Sequence, residues 1–297
     1  MIKSVAALVI VLLAAAPPVA AWGFEAHQFI VERAIELLPA PMRPFYEKHR
    51  DFIVAHTIDP DLWRTIGFTE ENPNHQLDLD AEAYGRSGSE LPREYGAAIE
   101  KFGPETLARH GLLPWRTAEV YGRLKRAFEE QKKGGTRFSI ENLRFYSAIV
   151  AHYVADAHVP FHATVNYDGQ KTDQIGIHAR FESELFNRYE SQLSIKPPAP
   201  APITAPRDLI FARLTSGLQL VEPLLAADRA ALGTREEYDD EYYEAFFGRA
   251  RPVLERRLNE SISAVAGVFI GAWQAAGRPE LPLNLQRSTQ RVRKTVR

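Results

Sequence analysis

The sequence predicts an all-α protein, a single compact multi-helix domain. Three observations lead there. Apolar residues recur at spacings of three and four along most of the chain, alternating strand-like patterns are scarce, and the one proline-dense stretch, Pro197 to Pro206, reads as an extended connector and not as a strand. With 45% hydrophobic and 25% charged among 297 residues, the composition is that of an ordinary globular chain with one substantial core.

Taken in order, Met1 to Ala21 reads as a secretory signal. Lys3 supplies the positive start, Val5 to Ala16 the apolar run and Val19-Ala20-Ala21 the small-residue cleavage site. Pro17 and Pro18 interrupt the run before the roughly 20 apolar residues of a membrane span. The expected product is exported, periplasmic or extracellular. The domain is expected over 22–283, followed by a basic tail over 284–297 that reads as a solvated end. A first helix carries Phe29, Ile30, Ala34, Leu37 and Leu38 on one face, and a second carries Val120, Leu124, Ala127 and Phe128. A third is expected to start near Ser139, whose hydroxyl can cap it, and to stop before Pro160. Pro197, Pro198, Pro200, Pro202 and Pro206 mark an extended connector. The run Tyr238 to Tyr243 reads as a loop entering the last helix, where Leu254, Leu258, Ile262, Val265, Phe269 and Trp273 form one long apolar stripe.

Charge and cysteine content narrow the chemistry. A formal net charge of -2 offers no broad basic surface to hold nucleic acid by counterion release. Cysteine is absent, so neither disulfides nor thiolate metal ligands are available. Any zinc must be held by nitrogen and oxygen, the donor set of hydrolytic sites more than of structural ones.

The third helix and the segment after it carry that donor set. Between Ile149 and Leu185 stand His152, Asp156, His158, His162, His178 and Glu182. His152 and Asp156 are four apart, as are His178 and Glu182, so a helix stacks each pair one turn above the other as a two-point clamp. Pro160 ends the helix, and His162 leaves its end as a further imidazole. Any one such histidine has an ordinary core explanation; the density does not. Upstream, Asp59-Pro60-Asp61 and Asn74-His75 place carboxylates and an imidazole in turn-like contexts, and cleavage after Ala21 would free the α-amine of Trp22 five residues before His27.

These residues resemble the zinc-dependent phospholipase C and single-strand-specific zinc nuclease superfamily. The match runs from Trp22 to Glu182, and its most specific part is His152-x3-Asp156-x-His158-x-Pro160-x-His162 followed by His178-x3-Glu182. The resemblance implies the fold of that superfamily and three zinc ions. It implies one ion on Asp61, His75, His152 and Asp156, a second on His162, His178 and Glu182, and a third on Trp22 and His27 with Asp156 bridging. It gives His158 a supporting role and prefers Asp61 to Asp59 as ligand. The short Trp22 to His27 spacing is that of the nucleases, although Ala26 stands where they usually have glycine. Glu182 stands where phospholipases have glutamate, and the lack of cysteine is like the bacterial phospholipases.

Such a site implies phosphodiester hydrolysis, because three dications outweigh three carboxylates and would acidify water into a hydroxide nucleophile. The expectation is a secreted phospholipase C-type phosphodiesterase, with Asp59 orienting or deprotonating the water. A single-strand nuclease or 3'-nucleotidase is the rival, and an exported zinc-binding protein without activity is the alternative from another class. The expected partner is a phosphodiester, phospholipid or single-stranded nucleic acid, with transient membrane-surface contact and no stable protein partner. Trp63, Phe68, Tyr84, Trp115 and Tyr146 are candidates for the pocket wall.

Overall fold

The computed structural model describes residues 23–283; the signal expected over 1–21, Trp22 and the basic tail expected over 284–297 lie outside the described residues. In chain order the helices are α1 (Phe24–Glu36), α2 (Arg43–Lys48), α3 (Arg50–His56), α4 (Asp59–Thr65), α5 (Tyr95–Phe102), α6 (Pro104–His110), α7 (Leu113–Lys132), α8 (Arg137–Asp156), α9 (Ile177–Ala179), α10 (Leu185–Tyr189), α11 (Pro206–Leu232) and α12 (Asp240–Ala275). Among the described residues there is no strand. The protein is all-α, as its periodicity predicts.

The core forms where the apolar faces meet. α7 and α8 make the most extensive helix pair, α1 packs on α12, α3 and α8, and α11 lies across α7, α12 and the short turn Pro160–Ala163. From Ala148 to Asp156 every residue of α8 is buried, so this helix has no solvent face in its second half. Polar side chains there can be tolerated only where other protein groups or a ligand satisfy them.

α8 starts two residues before the expected Ser139. Thr136 is its N-cap: its hydroxyl accepts from the Ser139 amide at 3.3 Å, while the Ser139 hydroxyl accepts from the Thr136 amide at 2.9 Å. Ser139 therefore serves at the third position of a reciprocal capping box, a role the sequence spacing does not distinguish from the cap itself. α12 likewise begins inside the run read as a loop. Asp239 accepts from the Tyr242 amide at 2.7 Å and two acidic residues follow in the first turn, so Tyr242 and Tyr243 are already helical. Within that helix lies the long stripe from Leu254 to Trp273.

The proline connector lies in extended form on α12. The Ile203 amide donates to the Gly267 carbonyl at 2.9 Å, and a Cβ on Gly271 would stand 1.9 Å from the Ile203 carbonyl oxygen. Only glycine lets the connector approach this closely.

Candidate metal centre

Four parts of the chain bring the metal-capable residues together. α1 buries His27 on the face that also buries Ile30, Val31 and Ala34. Its N-terminal end is docked by Gly23, where a Cβ would come within 2.8 Å of the Ser183 hydroxyl, next to Glu182. Asp61 comes from α4, and His75 ends the 3-10 turn Thr69–His75. A backbone clasp holds that turn: the Leu112 amide donates to the Pro73 carbonyl at 2.6 Å, the Leu113 amide to Gln76 at 3.2 Å and the Asp78 amide to His110 at 2.8 Å. Gly111 sits inside the clasp with φ +106, and a Cβ there would meet the Gln76 oxygen at 2.0 Å.

α8 carries His152 and Asp156, and its end is fixed from outside. The fully buried Arg257 of α12 donates to the carbonyls of His158 at 2.7 Å and Ala157 at 3.3 Å. A cation against the last carbonyls also suits the helix dipole. Burial pulls the Arg257 guanidinium down to about 10, with Glu260 opposing, so it stays charged at neutral pH. His178 and Glu182 stand where α9 widens into the π-helical turn Arg180–Glu184, a form rare enough in helices to draw notice at a site. Arg180 pins this turn to the buried Asp228 at 3.1 Å and to the Tyr242 hydroxyl at 3.0 Å.

The side chains converge in three buried groups: His27, His152 and Asp156; Asp61, His75 and His152; and His162, His178 and Glu182. Within each, the candidate ligand atoms lie within 4.8 Å of one another. Asp156 is the hub. Its Oδ1 is 3.2 Å from His27 Nε2, and its Oδ2 is 3.0 Å from His75 Nδ1 and 3.2 Å from His152 Nε2. Asp61 Oδ1 is 3.7 Å from His75 Nδ1, and Glu182 Oε2 is 3.0 Å from His178 Nε2 and 3.9 Å from His162 Nε2. His162 donates through Nδ1 to the His75 carbonyl at 2.6 Å, which turns its Nε2 toward Glu182.

The electrostatics suit a dication. Burial pulls the imidazoles of His27 and His178 down to about 4 and those of His75 and His162 down to about 3, so all four are neutral and present lone pairs at neutral pH. Burial also pushes Asp61 up to about 6 and Glu182 well above the usual carboxylate range. Asp156 goes the other way: burial opposes its charge, but His152 beside it and the imidazoles of His27 and His75 close to its two oxygens hold it low. Both ring nitrogens of His178, both carboxylate oxygens of Glu182, Asp61 Oδ2 and Asp156 Oδ1 are buried with no hydrogen-bond partner. Such a concentration of orphaned donors and acceptors is costly in a folded protein, and a cation of the zinc type, bound by nitrogen and oxygen, resolves it. The residues fit the ion.

Asp59 is a member of none of these groups. Residues two apart on a helix point in different directions, and its Oδ2 takes a hydrogen bond from His56 Nδ1 at 2.8 Å. His158 is fully buried and donates through Nδ1 to the Val154 carbonyl at 2.7 Å, inside the α8 end and outside the three groups. Trp22 lies outside the described residues.

The mouth of the site is lined by Arg64, Asn72, Gln76 and Tyr167 together with His75, His162 and His178. None of the aromatics expected for the wall is among them. Trp63 and Phe68 border a neighbouring cavity of about 400 Å³, Trp115 borders another of about 560 Å³, Tyr84 is core and Tyr146 packs at the core edge. Sequence reasoning missed Arg64, which donates to Asp61 Oδ1 at 3.1 Å and to the Asn72 side chain at 3.0 Å. Its one readable signal is its place three residues after Asp61, one turn along α4.

A family model described as zinc dependent phospholipase C matches residues 26–215 of the chain. Among curated proteins no match is found.

Proposed function

The chain belongs to the zinc-dependent phospholipase C family, and from that premise we propose that it is an exported phosphoric diester hydrolase of phospholipase C type that holds three zinc ions. One observation carries the reading: three buried ligand groups, two of them joined through His152 and Asp156, leave several of their polar atoms without a hydrogen-bond partner. The assignment takes Asp61, His75, His152 and Asp156 for one ion, His162, His178 and Glu182 for another, and the Trp22 amine and carbonyl with His27 for the third, Asp156 serving two. Zinc bound there would supply Lewis-acid polarisation of a phosphoryl oxygen and would acidify water.

The chain's own residues do the rest. The neutral imidazoles leave the site strongly cationic once it is loaded, which draws a phosphodiester anion inward. Arg64 stands at the mouth with a planar guanidinium held by Asp61 and Asn72, oriented to meet phosphate oxygens as they arrive. The buried walls exclude bulk water and so strengthen these attractions. Asp59 is assigned the handling of the attacking water's proton from its nearness to Asp61 in sequence; Asp59→Asn with full zinc and undiminished turnover removes it from the mechanism.

Glu182 and the absence of cysteine support the lipid headgroup ester as substrate. Arg64 at the mouth and the Trp22 to His27 spacing support the second reading, a single-strand nuclease or 3'-nucleotidase. The test is a parallel assay of phosphatidylcholine, single-stranded DNA and a chromogenic phosphodiester, with zinc content measured on the same samples. Zinc-dependent release of phosphocholine is expected. Release of nucleotides without lipid cleavage selects the nuclease, and full zinc with no hydrolysis of any diester leaves a metal-binding protein. An N-terminal extension that turns the Trp22 amine into an amide should lower both zinc content and rate.

A further inference from the structure

The geometry points to Glu71 as the positioning residue for His75, and through it for the ion assigned to Asp61, His75 and His152. This rests on the zinc reading above. His75 turns Nδ1 into the site, where it lies 3.0 Å from Asp156 Oδ2 and 3.1 Å from His152 Nε2. The other ring nitrogen, Nε2, is therefore on the far edge. It is buried without a hydrogen-bond partner, and the carboxylate that faces it is Glu71, with Oε1 at 3.8 Å. Glu71 stands four residues before His75 on the Thr69–His75 turn and is itself buried.

A buried carboxylate stays in place only if its oxygens are satisfied, and these are. The Tyr153 hydroxyl donates to Oε1, and the Asn74 side-chain amide donates to Oε2 at 3.1 Å. Arg116 brings Nη2 to 3.7 Å from Oε2, donates through Nε to the Tyr153 oxygen at 3.2 Å and is held in turn by Glu119 at 2.9 Å. Tyr153 follows His152 directly on α8, so the carboxylate that faces one candidate ligand, His75, is anchored on the element that carries another. An imidazole that gives Nδ1 to a metal carries its proton on Nε2. A carboxylate facing that proton fixes the tautomer, orients the ring and raises the basicity of the ligating nitrogen. The competing assignment makes Glu71 only the counter-ion of Arg116, and it predicts no effect on metal, because Arg116 keeps Glu119.

Glu71→Gln separates the two, since it preserves the shape and an acceptor for Tyr153 but removes the charge that faces His75. Zinc retained after dialysis against graded chelator, together with the visible spectrum of the cobalt(II)-loaded protein, is compared with wild type. One ion is expected to bind about 10- to 100-fold more weakly, with a changed cobalt band and an unchanged unfolding midpoint of the chelator-stripped protein. Tyr153→Phe, which frees Glu71 from one anchor without touching its charge, is expected to move the same readouts less. Wild-type zinc affinity and cobalt spectrum in both variants overturn the assignment. If the wild-type chain takes up no zinc, the metal reading itself fails; if it does and the variants match it, only the role of Glu71 fails.

Discussion

Asp156 gathers three imidazoles from three elements around one carboxylate, and it is fully buried. Asp156→Asn keeps the volume but loses the charge that two ions would share. Since disturbing residues behind a ligand already costs up to about 100-fold, this change should lower phosphodiester turnover by more than about 100-fold and release more than one ion, read by metal analysis. The imidazoles around it make a second prediction. In the unfolded chain they take up protons near 6.5, whereas in the fold His27, His75, His162 and His178 wait until about 3 to 4. Between those limits the unfolded state binds more protons, so stability of the chelator-stripped protein falls as pH drops below about 6.5. Asp61 and Asp78, pushed up to about 6, take protons earlier in the fold and oppose this, as do Glu182 and His152, also raised by their surroundings; His158 and His49, pulled down like the other four imidazoles, add to the decline and leave six groups against four. Urea midpoints at pH 7.5, 6 and 5 should decline in that order; a flat series would contradict the burial assigned to these rings. The candidate pairs His152–Asp156 and His178–Glu182 were readable because four-residue spacing on a helix is a local fact. Glu71, Arg64 and Arg257 were not, since each acquires its meaning from a partner brought up by tertiary packing.

At the level of the element, the site depends on how short segments are stopped and held. The turn that ends in His75 packs against α4, α6, α7 and α8 and is held by the clasp from the α6–α7 junction. Gly111→Ala adds a Cβ against the Gln76 carbonyl at a positive φ, which should cost about 1–3 kcal/mol and displace His75. A lowered thermal midpoint together with lost zinc is expected, and wild-type values for both would show that the clasp yields. The end of α8 is held by Arg257, whose loss in Arg257→Met leaves the Ala157 and His158 carbonyls buried without donors. A destabilisation of about 3 kcal/mol or more is expected, measurable by chemical denaturation. Of the long helices, α7, α8 and α12 were legible from periodicity but not their first residues, and α11 was not read at all: Pro206, taken for the connector, is its first residue. Thr136 and Asp239 act as caps through backbone geometry that neighbouring Ser139 and Asp240 could equally have offered by type.

Over the whole molecule, the absence of cysteine leaves the core and the metal to hold the fold. A ligand present at about a thousand times its dissociation constant contributes about 4 kcal/mol, so chelation should lower the unfolding temperature by about 10 °C, and added zinc should restore it. Scanning calorimetry with and without chelator checks this; equal midpoints would mean that the ions add nothing to stability. The all-α class was legible because nearly every segment repeats at helical spacing. The route into the site was not, since the mouth is made where Arg64, Tyr167 and three histidines from separate segments happen to meet.

The candidate ligands run from Trp22 to Glu182, and α11 and α12 come after all of them and close over α1, α7 and α8. Order in the chain thus becomes order in time. An emerging chain has every ligand before it has the helices that bury them, so ions can be captured while the centre is still open. A chain that finishes folding empty must load through the narrow gap beside Arg64 and Tyr167. Two uptake rates should exist, a fast one during refolding in zinc and a slow one when zinc is added afterwards, and their ratio measures how tightly the last helix shuts the door.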